Sequence, residues 1–333
     1  MTKRIAIIGD GGWGTAIGLT LLRNGHRVRI WGPFPEYIAR IRAGGENVDY
    51  LPGVKLPAEL EWTADPAEAV EGAEVVVLAS PTRYFRSVLA AFAGSIPKGA
   101  LLMSVAKGLD GRTHHRMTQV AEEVLGRGPV AALSGPSFAC EVAAGAPTAV
   151  TIACQAGERA TALQQVFNGP RFRVYTSEDV VGVELGGALK NVIAVGVGVS
   201  DGLGFGHNAR AALITRGLAE ISRLGLALGA HPATFAGLSG MGDLVLTCTS
   251  RLSRNHTVGE RLGRGEKMAA ILAGMKQVAE GVDNCVTTRA LAREAGVPVP
   301  VTEEVYAIVM EGKDPRVAVD ALLGRDPRPE RDR

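Results

Sequence analysis

The sequence predicts an α/β protein, an N-terminal, mostly parallel sheet followed by a C-terminal all-helical domain. Three observations carry that prediction. Short apolar runs alternate with helical stretches through the first part of the chain. A glycine-rich turn joins the first strand to the first helix. Beyond about residue 178 the strand patterns stop and only helical periodicity remains. The boundaries are drawn at 1–178 and 179–323. The tail 324–333, GRDPRPERDR, is charged and proline-rich and is expected to be disordered.

The first unit is the most sharply written. Arg4 to Gly9 (RIAIIG) reads as a buried strand that runs straight into Gly9-x-Gly11-x-x-Gly14. A helix follows from about Gly12 to Asn24, Gly25 closes it, and Arg27 to Trp31 forms the next strand. Strand, glycine turn, helix and strand in this order make the Rossmann-type dinucleotide-binding unit. The glycines permit a tight turn and close approach of a pyrophosphate, and the helix N-terminus offers N–H groups to the phosphates. The second strand ends in Trp31-Gly32-Pro33-Phe34, without an acid for a ribose 2′-hydroxyl, and Glu36 comes later, inside the next helix. The expected cofactor is therefore NADP(H) or NAD(H), tilted toward NADP(H) or dual use, although no basic residue stands at this tip to grip a 2′-phosphate.

The alternation continues. Glu74 to Ala79, Leu101 to Val105, Val130 to Leu133, Thr148 to Ala153 and Arg171 to Thr176 are candidate strands. Helical stretches lie near 84–93, 113–125 and 158–168. Ligands of such sheets sit beyond the carboxyl ends of the strands. Two polar clusters follow strand ends there: Ala106-Lys107-Gly108 and Ser134-Gly135-Pro136-Ser137.

The second part opens on the stretch 179–204, which reads as one long helix. Between Leu185 and Ser200 its only ionisable side chain is Lys190. A helix apolar on all sides is normally buried. A lysine inside it must find a partner, lose its proton, or snorkel to the surface. Gly186 and Gly187 each cost about 1 kcal/mol in helix propensity, which implies close packing of another backbone or a flat ligand at that turn. Further helices are expected at 208–229, 232–238, 254–264, 266–274, 284–295 and 301–311.

Several function classes are excluded by what the chain lacks. A net charge of +2, from 36 basic and 34 acidic residues, argues against bulk nucleic-acid binding. Cys140, Cys154, Cys248 and Cys285 form no CxxC pair, which fits reduced thiols in a cytoplasm. The N-terminus has too short an apolar run for a signal peptide, and no membrane span is expected. The histidines show no HxxxH or HExxH spacing, so no metal site is expected, and no GxSxG marks a nucleophilic hydrolase.

The polar residues at loop and helix ends each have an ordinary explanation. Lys107 beside Gly108 reads as a surface turn, Ser137 as a helix cap, Asp243 in Gly240-Met241-Gly242-Asp243 as a turn residue, and Arg254 as a partner of Glu260 or of water. Taken together with a dinucleotide fold, they form a set suited to a phosphate and a carbonyl, with Lys190 as the acid/base.

The ordered segments GDGGWGTA (9–16), SVAKGL (104–109), LSGPSFACEVAAGAPTAV (133–150), ELGGALKNVIAVGVGVSDGL (184–203), LSGMGDLVLTCTSRLSRNHTVGERLGRG (238–265) and VAEGV (278–282) resemble the NAD(P)-dependent glycerol-3-phosphate dehydrogenase family over nearly the whole chain. The resemblance implies reversible reduction of dihydroxyacetone phosphate to sn-glycerol 3-phosphate for glycerophospholipid synthesis, in a cytoplasmic and often dimeric enzyme. It implies Lys190 as catalytic acid/base, with Asp243 and Lys107 beside it. Gly9, Gly11, Gly12, Trp13, Gly14, Pro33, Tyr84, Lys107, Ala139, Arg254, Val278 and Glu280 would bind cofactor. Lys107, Gly135, Ser137, Lys190, Asp243, Ser253, Arg254 and Asn255 would bind substrate. A 6-phosphogluconate-type dehydrogenase fits less well, because that family places Asn four positions after its lysine, and residue 194 here is Ala. A cofactor-sensing protein without activity is the reading from another class, since fold alone does not settle function.

Overall fold

The computed structural model describes residues 1–275, 279–327 and 329–330. Its first part is an eight-stranded sheet: β1 (Arg4–Ile8), β2 (Arg27–Trp31), β3 (Glu61–Thr63), β4 (Val75–Leu78), β5 (Leu101–Ser104), β6 (Ala131–Ser134), β7 (Thr148–Ala153) and β8 (Phe172–Ser177). The order is β3-β2-β1-β4-β5-β6-β7-β8, and every neighbouring pair is parallel except β6 and β7. The helices α1 (Gly12–Arg23), α2 (Pro35–Gly44), α3 (Pro66–Val70), α4 (Thr82–Ala90), α5 (Met117–Leu125), α6 (Ala139–Ala143) and α7 (Gly157–Phe167) connect the strands. Ile5 to Ile8 and Val75 to Leu78 are buried throughout, as central strands covered on both faces must be. That double burial is why both read as unbroken apolar runs.

The second part is helical: α8 (Val180–Gly202), α9 (Gly206–Ala227), α10 (Pro232–Phe235), a π-helical turn (Leu238–Gly242), α11 (Asp243–Thr249), α12 (Arg254–Gly263), α13 (Met268–Ala273), α14 (Glu280–Glu294), α15 (Pro300–Glu311) and α16 (Pro315–Leu323). α8 is the axis of this part and packs against α9, α11, α12, α14 and α15 as well as β6. Asp179 caps it, accepting a hydrogen bond from the Gly182 N–H at 2.8 Å. By length and composition α8 could cross a membrane, but 89% of its apolar window is buried inside the protein.

Glycine sets how closely α8 and α12 approach. A Cβ on Gly198 would overlap the His256 carbonyl, and one on Gly259 would overlap the Val195 carbonyl, so the two backbones touch. Lengthwise, Glu184 ties α8 to the sheet part. Its buried carboxylate accepts from the Thr118 N–H at 2.9 Å at the start of α5 and from Arg116 at 2.6 Å.

Several elements depart from the sequence reading. β3 has only three residues, too few to show a period. The helix expected at 113–125 starts at Met117, because Thr113 donates to Asp110 at 2.6 Å and His114 takes a positive φ of 56°. Asp243 does not lie in a glycine turn but opens α11 directly behind the π-helical turn. The sequence pattern marks none of α3, α11 and α16. Of the tail, 324–327 and 329–330 carry no helix or strand, and 328 and 331–333 lie outside the described residues.

Candidate active site

The parallel strands bring their carboxyl ends to one edge of the sheet. There the turn after β1 holds Gly9 to Gly14, the turn after β5 holds Lys107, and the turn after β6 holds Gly135 and Ser137. Gly135 takes φ +140°, a conformation that L side chains rarely adopt. Its carbonyl accepts two hydrogen bonds, from Lys107 Nζ at 2.9 Å and from Ser137 Oγ at 2.9 Å. Ser137 therefore does not cap α6, whose start has no side-chain cap.

Lys190 meets this edge from α8. It is 5% exposed and does not snorkel. Its Nζ donates to Asp243 Oδ1 and, at 2.7 Å, to Thr247 Oγ1. Asp243 Oδ2 accepts from Lys107 Nζ at 2.7 Å, so one buried carboxylate bridges two ammonium groups. Thr247 lies one helical turn after Asp243 and donates to the Asp243 carbonyl at 2.6 Å. Burial pulls the Lys190 pKa down from 10.5 to about 8; Asp243 opposes that fall and Lys107 adds to it. Lys190 thus both finds a partner and is pushed toward losing its proton, with desolvation the larger cause and Lys107 a smaller one. Cys248, next to Thr247 in the chain, is pushed up to about 12 mainly by burial and stays a thiol.

The packing around α8 explains Gly186 and Gly187. A Cβ on Gly186 would come within 3.0 Å of the Ser239 carbonyl carbon, so another backbone does press on this turn. At Gly187 the close neighbours are side chains, Ser134 and the Lys107 stem. Asn191, which leaves the face of Lys190, links the turns. It donates to the Lys107 carbonyl at 3.4 Å and its Oδ1 accepts from Asn255 at 2.9 Å. Asn255 in turn accepts from the Gly281 N–H at 2.9 Å.

Ser253 caps α12, accepting from the His256 N–H at 3.2 Å, and Arg254 is the exposed first residue of that helix. Arg254 does not reach Glu260, which pairs with Arg264. Its charge acts on Glu280 at the start of α14. Burial raises the Glu280 carboxyl, and Arg254, Lys107 and Lys190 oppose the rise. Val278 lies outside the described residues.

The glycine turn fits a dinucleotide. A Cβ on Gly9 would come within 2.7 Å of the Ala79 backbone, while one on Gly11 would meet open space. No side chain caps the N-terminus of α1, and its first turn carries no acid. Trp13 Nε1 and Asp10 Oδ2 are buried without a hydrogen-bond partner among the described residues. Ala139 lies beside Gly12. Pro33 is exposed at the β2 end, and Tyr84, half exposed on α4, stands beyond the β4 end.

The sequence reading missed Thr247 and the linking role of Asn191. An Asp-x-x-x-Thr spacing on one helix face is a usable signal for the first, but only once α11 is recognised as a helix.

Models of the N-terminal and C-terminal parts of NAD-dependent glycerol-3-phosphate dehydrogenase match residues 4–160 and 179–320. The chain belongs to this family. An NAD(P)+-dependent glycerol-3-phosphate dehydrogenase of Geobacter metallireducens is 51% identical, with 99% of this chain and 100% of that protein covered. Its counterpart in Geobacillus kaustophilus is 48% identical, covering 99% and 97%. The crystal structure of glycerol-3-phosphate dehydrogenase from Coxiella burnetii superposes with a TM-score of 0.94 at 40% identity, covering 97% of this chain and 99% of that one. Both parts of the fold are thus those of glycerol-3-phosphate dehydrogenases.

Proposed function

We propose that this protein catalyses the reversible reduction of dihydroxyacetone phosphate to sn-glycerol 3-phosphate with NAD(P)H, in the cytoplasm, supplying glycerophospholipid synthesis. The observation that carries the reading is the Lys107–Asp243–Lys190 network at the edge of the sheet that holds the glycine turn. Family membership names the reaction, and the network supplies the chemistry it needs.

A bound nicotinamide supplies the hydride. Negative charge then develops on the C2 oxygen of the ketone. Lys190, held by Asp243 and Thr247, gives that oxygen its proton, and in the reverse direction the neutral amine takes it back. A positioned acid of this kind contributes about 10²–10⁴-fold. With a pKa of about 8, Lys190 has both protonation states within reach of neutral pH. Lys107 adds a second fixed positive charge, which needs no reorganisation during reaction. Asp243 orients both amines and keeps Lys190 from losing its proton altogether.

Arg254 presents a planar fork to the substrate phosphate at the start of α12, with Ser253 and Asn255 beside it. Gly135 and Ser137 line the substrate side of the sheet edge. Gly9, Gly11, Gly12, Trp13 and Gly14 cradle the pyrophosphate, with Pro33, Tyr84, Ala139 and Glu280 along the remaining cofactor. Residues 1–178 act as the cofactor domain and 179–323 as the substrate domain. The working form is a homodimer.

The test is the loss of NAD(P)H absorbance on adding dihydroxyacetone phosphate, run for the wild type and for Lys190→Ala. The variant is expected to lose most turnover while still binding cofactor. Stopped-flow hydride transfer near the wild-type rate in that variant would remove Lys190 from the mechanism.

A further inference from the structure

Asp10 takes no part in the network around Lys190. It follows Gly9 at the carboxyl end of β1 and is 9% exposed, and its Oδ2 has no hydrogen-bond partner among the described residues. Burial pushes its carboxyl up to about 6, and the one opposing influence among the described residues is a hydrogen bond from its own backbone. A buried carboxylate oxygen without a donor is costly and calls for an explanation.

Its position supplies one. The Asp10 backbone is pinned by Asn47 Nδ2, which donates to the Asp10 carbonyl at 2.7 Å and to Thr15 Oγ1 at 2.8 Å. The carboxylate itself lies against Gly32, directly after β2. A Cβ on Gly32 would overlap Oδ2 and sit 2.7 Å from Cγ. The carboxylate thus fills the space that a side chain at the β2 tip would occupy. In dinucleotide-binding sheets an acid at that tip accepts from the adenosine ribose 2′-hydroxyl. Here the β2 tip has none, and an acid from the neighbouring strand stands in its place. Phe34, at the same tip, is an aromatic residue that is 60% exposed.

We propose that Asp10 is the ribose-recognising acid of this protein, accepting a hydrogen bond from the adenosine 2′-hydroxyl and selecting NAD(H) over NADP(H). A 2′-phosphate would face this carboxylate at a tip, Trp31 to Phe34, that carries no basic residue. The 2′-hydroxyl, by contrast, is the donor that the site lacks. The cofactor choice that β2 leaves open is made from β1. The proposal rests on the dehydrogenase assignment, and binding measurements separate the two.

The test is a titration of the full-length protein with NADH and with NADPH, followed by nicotinamide fluorescence, for the wild type, Asp10→Asn and Asp10→Ala. The wild type is expected to bind NADH about 10-fold or more tightly than NADPH, the scale of one hydrogen bond to a charged group. Asp10→Asn keeps the shape and removes the charge, and should shift the ratio toward NADPH by about 10-fold. Asp10→Ala should weaken NADH binding and gain NADPH binding. Equal binding of both cofactors by the wild type overturns the proposal alone. So does an Asp10→Asn protein that still unfolds in one cooperative thermal transition and shows an unchanged ratio, or one in which both affinities fall equally. A wild type that binds neither cofactor overturns the dehydrogenase assignment as well.

Discussion

Asp243→Asn isolates the electrostatic part of the proposed mechanism. The variant keeps the size of the side chain and its place on α11 but removes the charge shared by Lys107 and Lys190. At an effective dielectric of about 20, unit charges about 4 Å apart attract by about 4 kcal/mol, which is about three pKa units as an upper bound. Asp243 is what holds the Lys190 pKa as high as about 8 against burial and against Lys107. Without it the value should fall by about one unit or more. The sign follows from the roles. Reduction needs the ammonium, so wild-type kcat/KM for dihydroxyacetone phosphate should decline as pH rises through about 8. Oxidation of glycerol 3-phosphate needs the amine and should rise through the same pH. In Asp243→Asn both breaks should move about one unit or more toward acid. At pH 8 the reductive rate should fall about 5-fold or more from lost protonation alone. The assay is kcat/KM against pH in both directions, which reports groups on the free enzyme. A variant whose breaks stay where the wild type has them would refute the argument, whatever its rate.

Arg254→Ala should raise KM for both phosphorylated substrates by about 10-fold or more with a smaller change in kcat, as for loss of a charged hydrogen-bond partner; an unchanged KM would count against a phosphate role. Gly259→Ala forces a methyl into the Val195 carbonyl; overpacking of this kind costs about 1–3 kcal/mol and should lower the midpoint of urea unfolding. Asp10→Asn should stabilise the cofactor-free protein near neutral pH. The folded-state pKa of Asp10, about 6, lies above the ordinary 3.8, so the folded protein holds the proton more tightly. The contribution of Asp10 therefore declines as pH rises from about 4 to about 6, and removing the charge should recover up to about 3 kcal/mol above that window. Thermal transitions at pH 5 and 7.5 should show a larger gain at 7.5, and equal gains would contradict the burial of this carboxylate.

Much of this was legible in the residue order. The glycine turn needs only local chemistry, and Gly9, Gly11 and Gly14 sit between a strand and a helix that each declare themselves within a dozen residues. Lys190 stood out because a charge inside an apolar helix conflicts with its surroundings, whatever the tertiary partners are. Other features carry no local mark. β3 is too short to be periodic. α11 was hidden because Gly240 and Gly242 look like a turn, although the chain there continues through a π-helical turn into a helix. Thr247 and Asn191 are ordinary residues until their helices are set side by side.

What the residue order determined by itself, then, was a nucleotide-binding sheet, a helical second part, and a lysine that had to be paired or discharged, because strand burial, helix periodicity and desolvation are properties of short stretches. Only the tertiary structure decided the rest. It chose which carboxylate bridges Lys190 and Lys107, across 136 positions in the second case. It also placed the acid of β1 beside the bare tip of β2. Both are distances through space between separate elements, set by how strands and helices pack, and no local pattern encodes them.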